Sequence, residues 1–198
     1  METIQQEEKM QHRTHLMEMF MSTFPTGSLT EGTVETPKRV SKMWDELLSG
    51  YDKNPEDILS KTFDVGAGGD TNANGIVVVK DIPFYSQCEH HLVPFYGTCS
   101  IAYIPRKRVV GLSKFARLVE CYARRLQVQE RLTKQIIDDI NKYLDPLGVV
   151  VVITAEHMCM TMRGIQKPGT KTTTSRVSGV FFDDAKAREE AMNLILKS

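Results

Sequence analysis

The chain has 198 residues, 41% hydrophobic and 25% charged, which allows one substantial core and excludes a disordered or fibrous protein. Lysine plus arginine equals aspartate plus glutamate at 25 each, so no global field draws the chain toward nucleic acid or an anionic membrane. No apolar run approaches membrane-spanning length and residues 1–13 are polar and partly acidic, so a cytoplasmic protein is expected, with four cysteines kept as thiols.

In chain order, residues 4–20 scatter Met10, Leu16, Met17 and Phe20 among Gln and Glu, predicting a weakly amphipathic helix that needs a neighbour. Thr36-Pro37 reads as an N-cap followed by proline at the first helical position, and Val40, Met43, Trp44, Leu47 and Leu48 continue a helical stripe that stops at Gly50. The stretch 64–75, rich in Gly, Asn and Asp, reads as a mobile loop, and with no Gly-Lys-Ser after it a phosphate-binding P-loop is not expected. Ile76–Val79 and Tyr96–Ile104 read as two strands flanking the run Cys88-Glu89-His90-His91. Helices follow at Phe115, Leu118, Val119 and Tyr122, and at Val128, Leu132, Ile136 and Ile140, the second ending before Pro146 and Gly148. Val149–Ile153, residues 157–162 and Lys171–Phe182 then read as strands, and Asp183–Leu196 as a terminal helix. Strands, then helices, then strands describe an α+β domain.

Three of the five histidines and two of the four cysteines lie in Cys88-Glu89-His90-His91 and His157-Met158-Cys159. Cys88 and His91 stand three residues apart, close enough for one tight turn to aim a thiolate and an imidazole at a tetrahedral zinc ion. A strand over 157–162 would turn His157 and Cys159 to the same face, adding a third ligand with a base beside it. Three protein ligands leave the fourth zinc position open, which suits hydrolysis, whereas structural sites are closed by four. For Cys88 and His91 alone, a buried thiol and an unligated imidazole remain the competing reading. The spacing matches neither zinc ribbons nor the nucleobase deaminases. Cys99 and Cys121 are expected to fill core. The basic runs Arg106-Lys107-Arg108 and Arg124-Arg125 lack interleaved aromatics and read as solvated faces rather than a nucleic-acid surface.

Six blocks together resemble the GTP cyclohydrolase I family, in order and in spacing. They are Lys80-Asp81-Ile82-Pro83-Phe84, Cys88-Glu89-His90-His91-Leu92-Val93-Pro94-Phe95, Gly111-Leu112-Ser113-Lys114, Gln127 to Thr133, His157-Met158-Cys159-Met160 and Met162-Arg163-Gly164. The resemblance runs from about Thr36 to the C-terminus; the first thirty or so residues and the loop 66–74 vary around the pattern. It implies a tunnelling fold: an antiparallel sheet with helices packed on one face, the sheets of several subunits joining into a barrel within a toroidal homo-oligomer, commonly a decamer of two pentamers with active sites at subunit interfaces. The implied division is an N-terminal helical arm, 1–50, and a catalytic domain, 51–198. The tunnelling-fold relatives that reduce a nitrile on a deazapurine need a cysteine nucleophile and a nicotinamide cofactor, and this sequence carries no such signature.

The resemblance also implies the chemistry: hydrolytic opening of the guanine imidazole ring of GTP, release of formate and formation of 7,8-dihydroneopterin triphosphate, at the head of tetrahydrofolate or other pterin and deazaguanine routes. By similarity Cys88, His91 and Cys159 bind zinc, which activates water for attack on C8. His157 would protonate N7, His90 would shuttle protons in the later steps, and Ser113 would cap its helix or donate to the ribose ring oxygen. Glu130 would accept from guanine N1 and the exocyclic amine, a pairing that adenine cannot reproduce, with Gln129 a further substrate contact. Without the family, Glu130 would read as a solvated helix residue. Lys114, Arg117 and Arg163 match triphosphate contacts, with Arg39 donated by a neighbouring subunit.

Overall fold

A computed structural model of the chain describes residues 2–25, 30–64 and 75–197. The Gly- and Asn-rich stretch expected to form a loop falls at 65–74, outside the described residues. The chain divides into two compact units, residues 1–49 and 50–198. Among the described residues no helix is long and apolar enough to cross a membrane.

The first unit is a pair of helices, α1 (Glu2–Ser22) and α2 (Thr36–Leu47). Ser41, buried on α2, donates its hydroxyl to the Met10 carbonyl at 3.0 Å, and Arg13 pairs with Asp45. Leu16, Met19 and Phe20 stay exposed, in keeping with apolar positions too scattered to form one stripe. Thr36 is not the cap expected of it. Glu35 occupies the N-cap position without a side-chain bond, and Pro37 falls in the first turn, where a missing N–H costs nothing.

The second unit opens with α3 (Pro55–Leu59), and β1 (Thr62–Asp64) pairs with β4 (Arg108–Val110) in a small ribbon. Its main sheet contains β2 (Val77–Cys88), β3 (Pro94–Ile104), β5 (Leu126–Gln127), β6 (Gly148–His157) and β7 (Lys171–Gly179), in the order β5-β2-β3-β6-β7. All neighbours are antiparallel except the short parallel β2/β5 pair. β2 is far longer than Ile76–Val79 suggested. Lys80-Asp81 interrupts the apolar pattern because the register shifts between Val79 and Ile82; Asp81 takes φ 58° there, and its N–H is satisfied by the Ser100 hydroxyl at 3.1 Å. Gly97 of β3 faces Ala155 of β6, and a Cβ on it would lie 2.0 Å from the Thr154 carbonyl oxygen, so these two central strands approach as only glycine permits.

Helices cover both faces of the sheet, correcting the expectation of one. On one face, α4 (Ser113–Ala123) and α5 (Gln129–Leu144) bury Phe115, Leu118, Leu132, Ile136 and Ile140 against Phe84, Ile101, Val151 and Ile153. On the other, the short α7 (Val180–Asp183) and α8 (Ala185–Leu196) bring Phe181, Ala191 and Ile195 onto Ala102, Val150 and Val152. Alternate residues of β6 thus enter different cores, the structural meaning of its unbroken apolar run. Each large side chain buried in this way contributes about 1.5–3 kcal/mol. α8 begins at an Asp184 N-cap that accepts from the Lys186 and Ala187 amides, and β7 stops at Gly179 rather than Phe182.

A second correction falls at the C-terminal end of β6. Val149–Ile153 and His157 belong to one strand, and Met158–Thr161 forms a single helical turn, α6, in place of a further strand. The alternation of Met158, Met160 and Met162 imitates strand periodicity, but the Met162 amide donates to the Met158 carbonyl, and the single Thr161 hydroxyl hydrogen is shared between the His157 carbonyl and Glu156, each 3.1 Å away.

Candidate active site

Topology explains why residues so far apart in sequence meet. β2 and β6 both pair antiparallel with β3, so they run in the same direction and end at the same edge of the sheet. Cys88 ends β2 and His157 ends β6, opposite Phe95 at the start of β3. The parallel pairing of Cys88 with Gln127 brings the start of α5, with Gln129 and Glu130, to that same end. Residues 89–93 turn tightly: the amides of His91 and Leu92 donate to the Cys88 carbonyl, the Cys88 amide donates to Val93, and Leu92 takes φ 54°. The Glu89 amide donates to the Gln127 carbonyl at 3.0 Å, and its carboxylate pairs with Arg131. That hydrogen bond from Arg131 is the chief reason the Glu89 carboxyl titrates below its usual range.

One ligand atom from each of Cys88, His91 and Cys159 lies within 4.8 Å of the others, a group that could hold a metal ion. Zn–S and Zn–N bonds of about 2.3 and 2.0–2.1 Å at a tetrahedral angle would set sulfur and nitrogen about 3.6 Å apart. Cys88 Sγ and His91 Nδ1 are 3.6 Å apart. Cys88 is buried, Cys159 half-buried and His91 exposed, so the group opens toward solvent on the imidazole side. Burial raises the Cys159 pKa, and the neighbouring Cys88 sulfur raises it further; a divalent cation between the two would offset both effects. The donor set, two soft thiols and an imidazole, fits zinc. The helical turn rather than a strand delivers Cys159, so strand alternation is not what puts it beside His157.

His157 stacks on Phe95 with ring centroids 4.7 Å apart and planes 1° from parallel. Its Nε2 meets Gln129 Oε1 at 2.8 Å. Burial lowers the His157 pKa, and the charge of Glu130 partly opposes that. Gln129, expected to contact substrate, is 1% exposed, and its amide nitrogen is held by the Ile153 and Thr172 carbonyls and the Thr174 hydroxyl. Its side-chain amide is thus engaged inside the protein, by β6, β7 and His157. Neither Phe95 nor Glu89 was singled out from sequence, although both lie in the Cys88 to Phe95 block. Their partners come from β6 and α5, which no local pattern announces.

His90 is exposed, with Nδ1 3.9 Å from Cys88 Sγ and Nε2 3.8 Å from Glu89 Oε1. Glu130 is exposed in the first turn of α5, where a carboxylate also complements the helix dipole by about 0.3–1 kcal/mol. Ser113 is exposed as the first residue of α4 and does not cap it; Leu112 holds the N-cap position with no side-chain bond. Lys114 and Arg117 line one cleft of about 660 Å³, shared with Asp52, Asp57 and Glu120, and Cys88, His91 and Cys159 do not line that cleft. Arg163, exposed beyond α6, is near enough to favour the Cys159 thiolate. Arg39 is exposed on α2, in the first unit. Cys99 and Cys121 are fully buried.

A family model described as GTP cyclohydrolase I matches residues 14–196. A protein named GTP cyclohydrolase 1 from Clostridium perfringens (strain 13 / Type A) is 53% identical over 165 residues, covering 83% of this chain and 86% of that protein. One of the same name from Thermobifida fusca (strain YX) is 54% identical over 168 residues, 84% of this chain and 78% of that protein. Another, from Bacillus cytotoxicus, is 50% identical over 182 residues, 91% and 93% of the two chains.

Proposed function

Because the chain belongs to the GTP cyclohydrolase I family, we propose that it hydrolyses the guanine imidazole ring of GTP, releasing formate and forming 7,8-dihydroneopterin triphosphate, the first step of tetrahydrofolate or other pterin and deazaguanine synthesis. The observation that carries this reading is the Cys88, His91 and Cys159 trio at the sheet end shared by His157 and the first turn of α5. Those three side chains would hold zinc, which supplies the Lewis acidity that makes water nucleophilic near neutral pH.

The chain's own residues account for the remaining steps. C8 of guanine is a poor electrophile until N7 is protonated, and His157, whose burial makes its imidazolium a stronger acid, is suited to give N7 that proton. His90, exposed two residues from Cys88, carries protons during ring opening and formate release. The Glu130 carboxylate accepts from guanine N1 and the 2-amino group, selecting guanine over adenine. Ser113 donates to the ribose oxygen as that ring opens. Lys114, Arg117 and Arg163, with Arg39 from a neighbouring subunit, neutralise the triphosphate.

The free edge of β7, which among the described residues pairs with β6 alone, supports an assembly in which sheets of neighbouring subunits join, as in a decamer of two pentamers. A cytoplasmic location accords with a substrate pool of free nucleotide. The reaction is tested by incubating purified, zinc-replete protein with GTP and measuring formate together with a pterin that fluoresces after oxidation. Equal amounts of both are expected, and the absence of both would overturn the assignment.

A further inference from the structure

The start of α5 carries a side chain whose every polar atom is committed. Gln129 is 1% exposed, yet its amide nitrogen reaches the Ile153 carbonyl at 3.0 Å, the Thr172 carbonyl at 3.0 Å and the Thr174 hydroxyl at 3.1 Å. Backbone carbonyls only accept, so the NH2 group must face β6 and β7 and the amide oxygen must face the other way. That oxygen lies 2.8 Å from His157 Nε2. A carbonyl oxygen cannot donate, so the ring nitrogen opposite it must carry hydrogen. Thr174 is itself fixed by the Thr133 hydroxyl at 2.7 Å, and Thr133 donates in turn to the Gln129 carbonyl, so the amide has no room to flip.

We propose that Gln129 is a positioning residue that locks His157 as its Nε2–H tautomer and leaves Nδ1 as the one nitrogen able to exchange a proton with substrate. The stack on Phe95 fixes the plane of the ring but would permit a 180° flip about the Cβ–Cγ bond, which keeps that plane and exchanges nitrogen with carbon positions. The bond to Gln129 chooses between the two orientations. A proton donor that must meet one atom of a substrate gains from having a single orientation, because misplacement by about 1 Å can cost on the order of a hundredfold in rate. The inference rests on His157 being the proton carrier of the proposed reaction, but the orientation itself can be read without turnover.

The direct test is magic-angle-spinning NMR of the native, zinc-loaded protein labelled with 15N-histidine at pH 8, with the His157 signals identified by their loss in His157→Gln. A pyrrole-type Nε2 and a pyridine-type Nδ1 are expected. The opposite tautomer, or an averaged pair, would overturn the inference. The companion variant Gln129→Leu should keep its zinc and hold KM for GTP within about twofold, while kcat falls about 10- to 100-fold. An unchanged kcat would overturn it. Should Gln129→Leu not fold, the spectrum of the native protein decides alone. Should the parent protein lack activity on GTP, the proposed function fails while the tautomer result still stands or falls by itself.

Discussion

Gly97→Ala is a small change that should reach the site through the backbone. An added Cβ would sit 2.0 Å from the Thr154 oxygen and 2.7 Å from Ala155 Cα, whereas real contacts essentially never fall under 3.0 Å, so β3 and β6 must part locally by about 1 Å. Overpacking of this kind costs about 1–3 kcal/mol, and each neighbouring ladder hydrogen bond that stretches loses about 1 kcal/mol more. A loss of roughly 3 kcal/mol lowers the melting temperature of a unit of this size by about 6–12 °C. Gly97 pairs with Ala155, two residues from the Phe95–His157 pair, so the same displacement should tilt His157 and reduce kcat/KM up to about a hundredfold. Thermal unfolding, zinc content and GTP turnover of purified Gly97→Ala check both halves. Melting at the parent's temperature would refute the close approach, and normal turnover in a destabilised variant would refute the coupling to His157.

Elemental analysis of freshly purified, unchelated protein should find about one zinc per chain, and Cys88→Ser or Cys159→Ser should lose metal and activity together, since a hydroxyl is a far weaker ligand than a thiolate. His157→Ala should retain zinc and GTP binding while losing ring opening, measured by equilibrium binding beside formate release; loss of zinc would make His157 a ligand instead. Glu130→Gln should lower kcat/KM for GTP at least about tenfold, because the bound guanine covers the carboxylate and a mismatch at one of its donors then costs about 1–3 kcal/mol. Parent-like turnover there would return Glu130 to an ordinary helix surface.

The group that could hold a metal was legible because its spacing is local: Cys88 and His91 stand three positions apart, and the short reach from His157 to Cys159 announces a second donor near a histidine. What joins them was not legible, because it depends on which strands run in the same direction. The helical turn Met158–Thr161 is disguised because its methionines alternate like a strand, while the Met162 amide donating to the Met158 carbonyl winds it and the Thr161 hydroxyl ties it back to β6. The partners of Gln129 were hidden for a similar reason. A glutamine beside Glu130 gives no local sign of partners 24 to 45 residues away on β6 and β7. The second core was foreshadowed by the unbroken run Val149–Ile153, yet which helices would cover the far face needed tertiary structure to reveal.

The two covers of β6 differ in when they become available during synthesis. α4 and α5 precede β6 in the chain, so the strand leaves the ribosome to meet a surface already made for Val149, Val151 and Ile153. Val150 and Val152 await Phe181, Ala191 and Ile195, and about 40 further residues must be added before α8 is complete. At about 5–20 residues per second, that leaves an apolar stripe bare for about 2–8 s on every nascent chain. This interval is when the protein is most open to chaperones or to sticking to its neighbours, and slow codons between β6 and α8 would lengthen it.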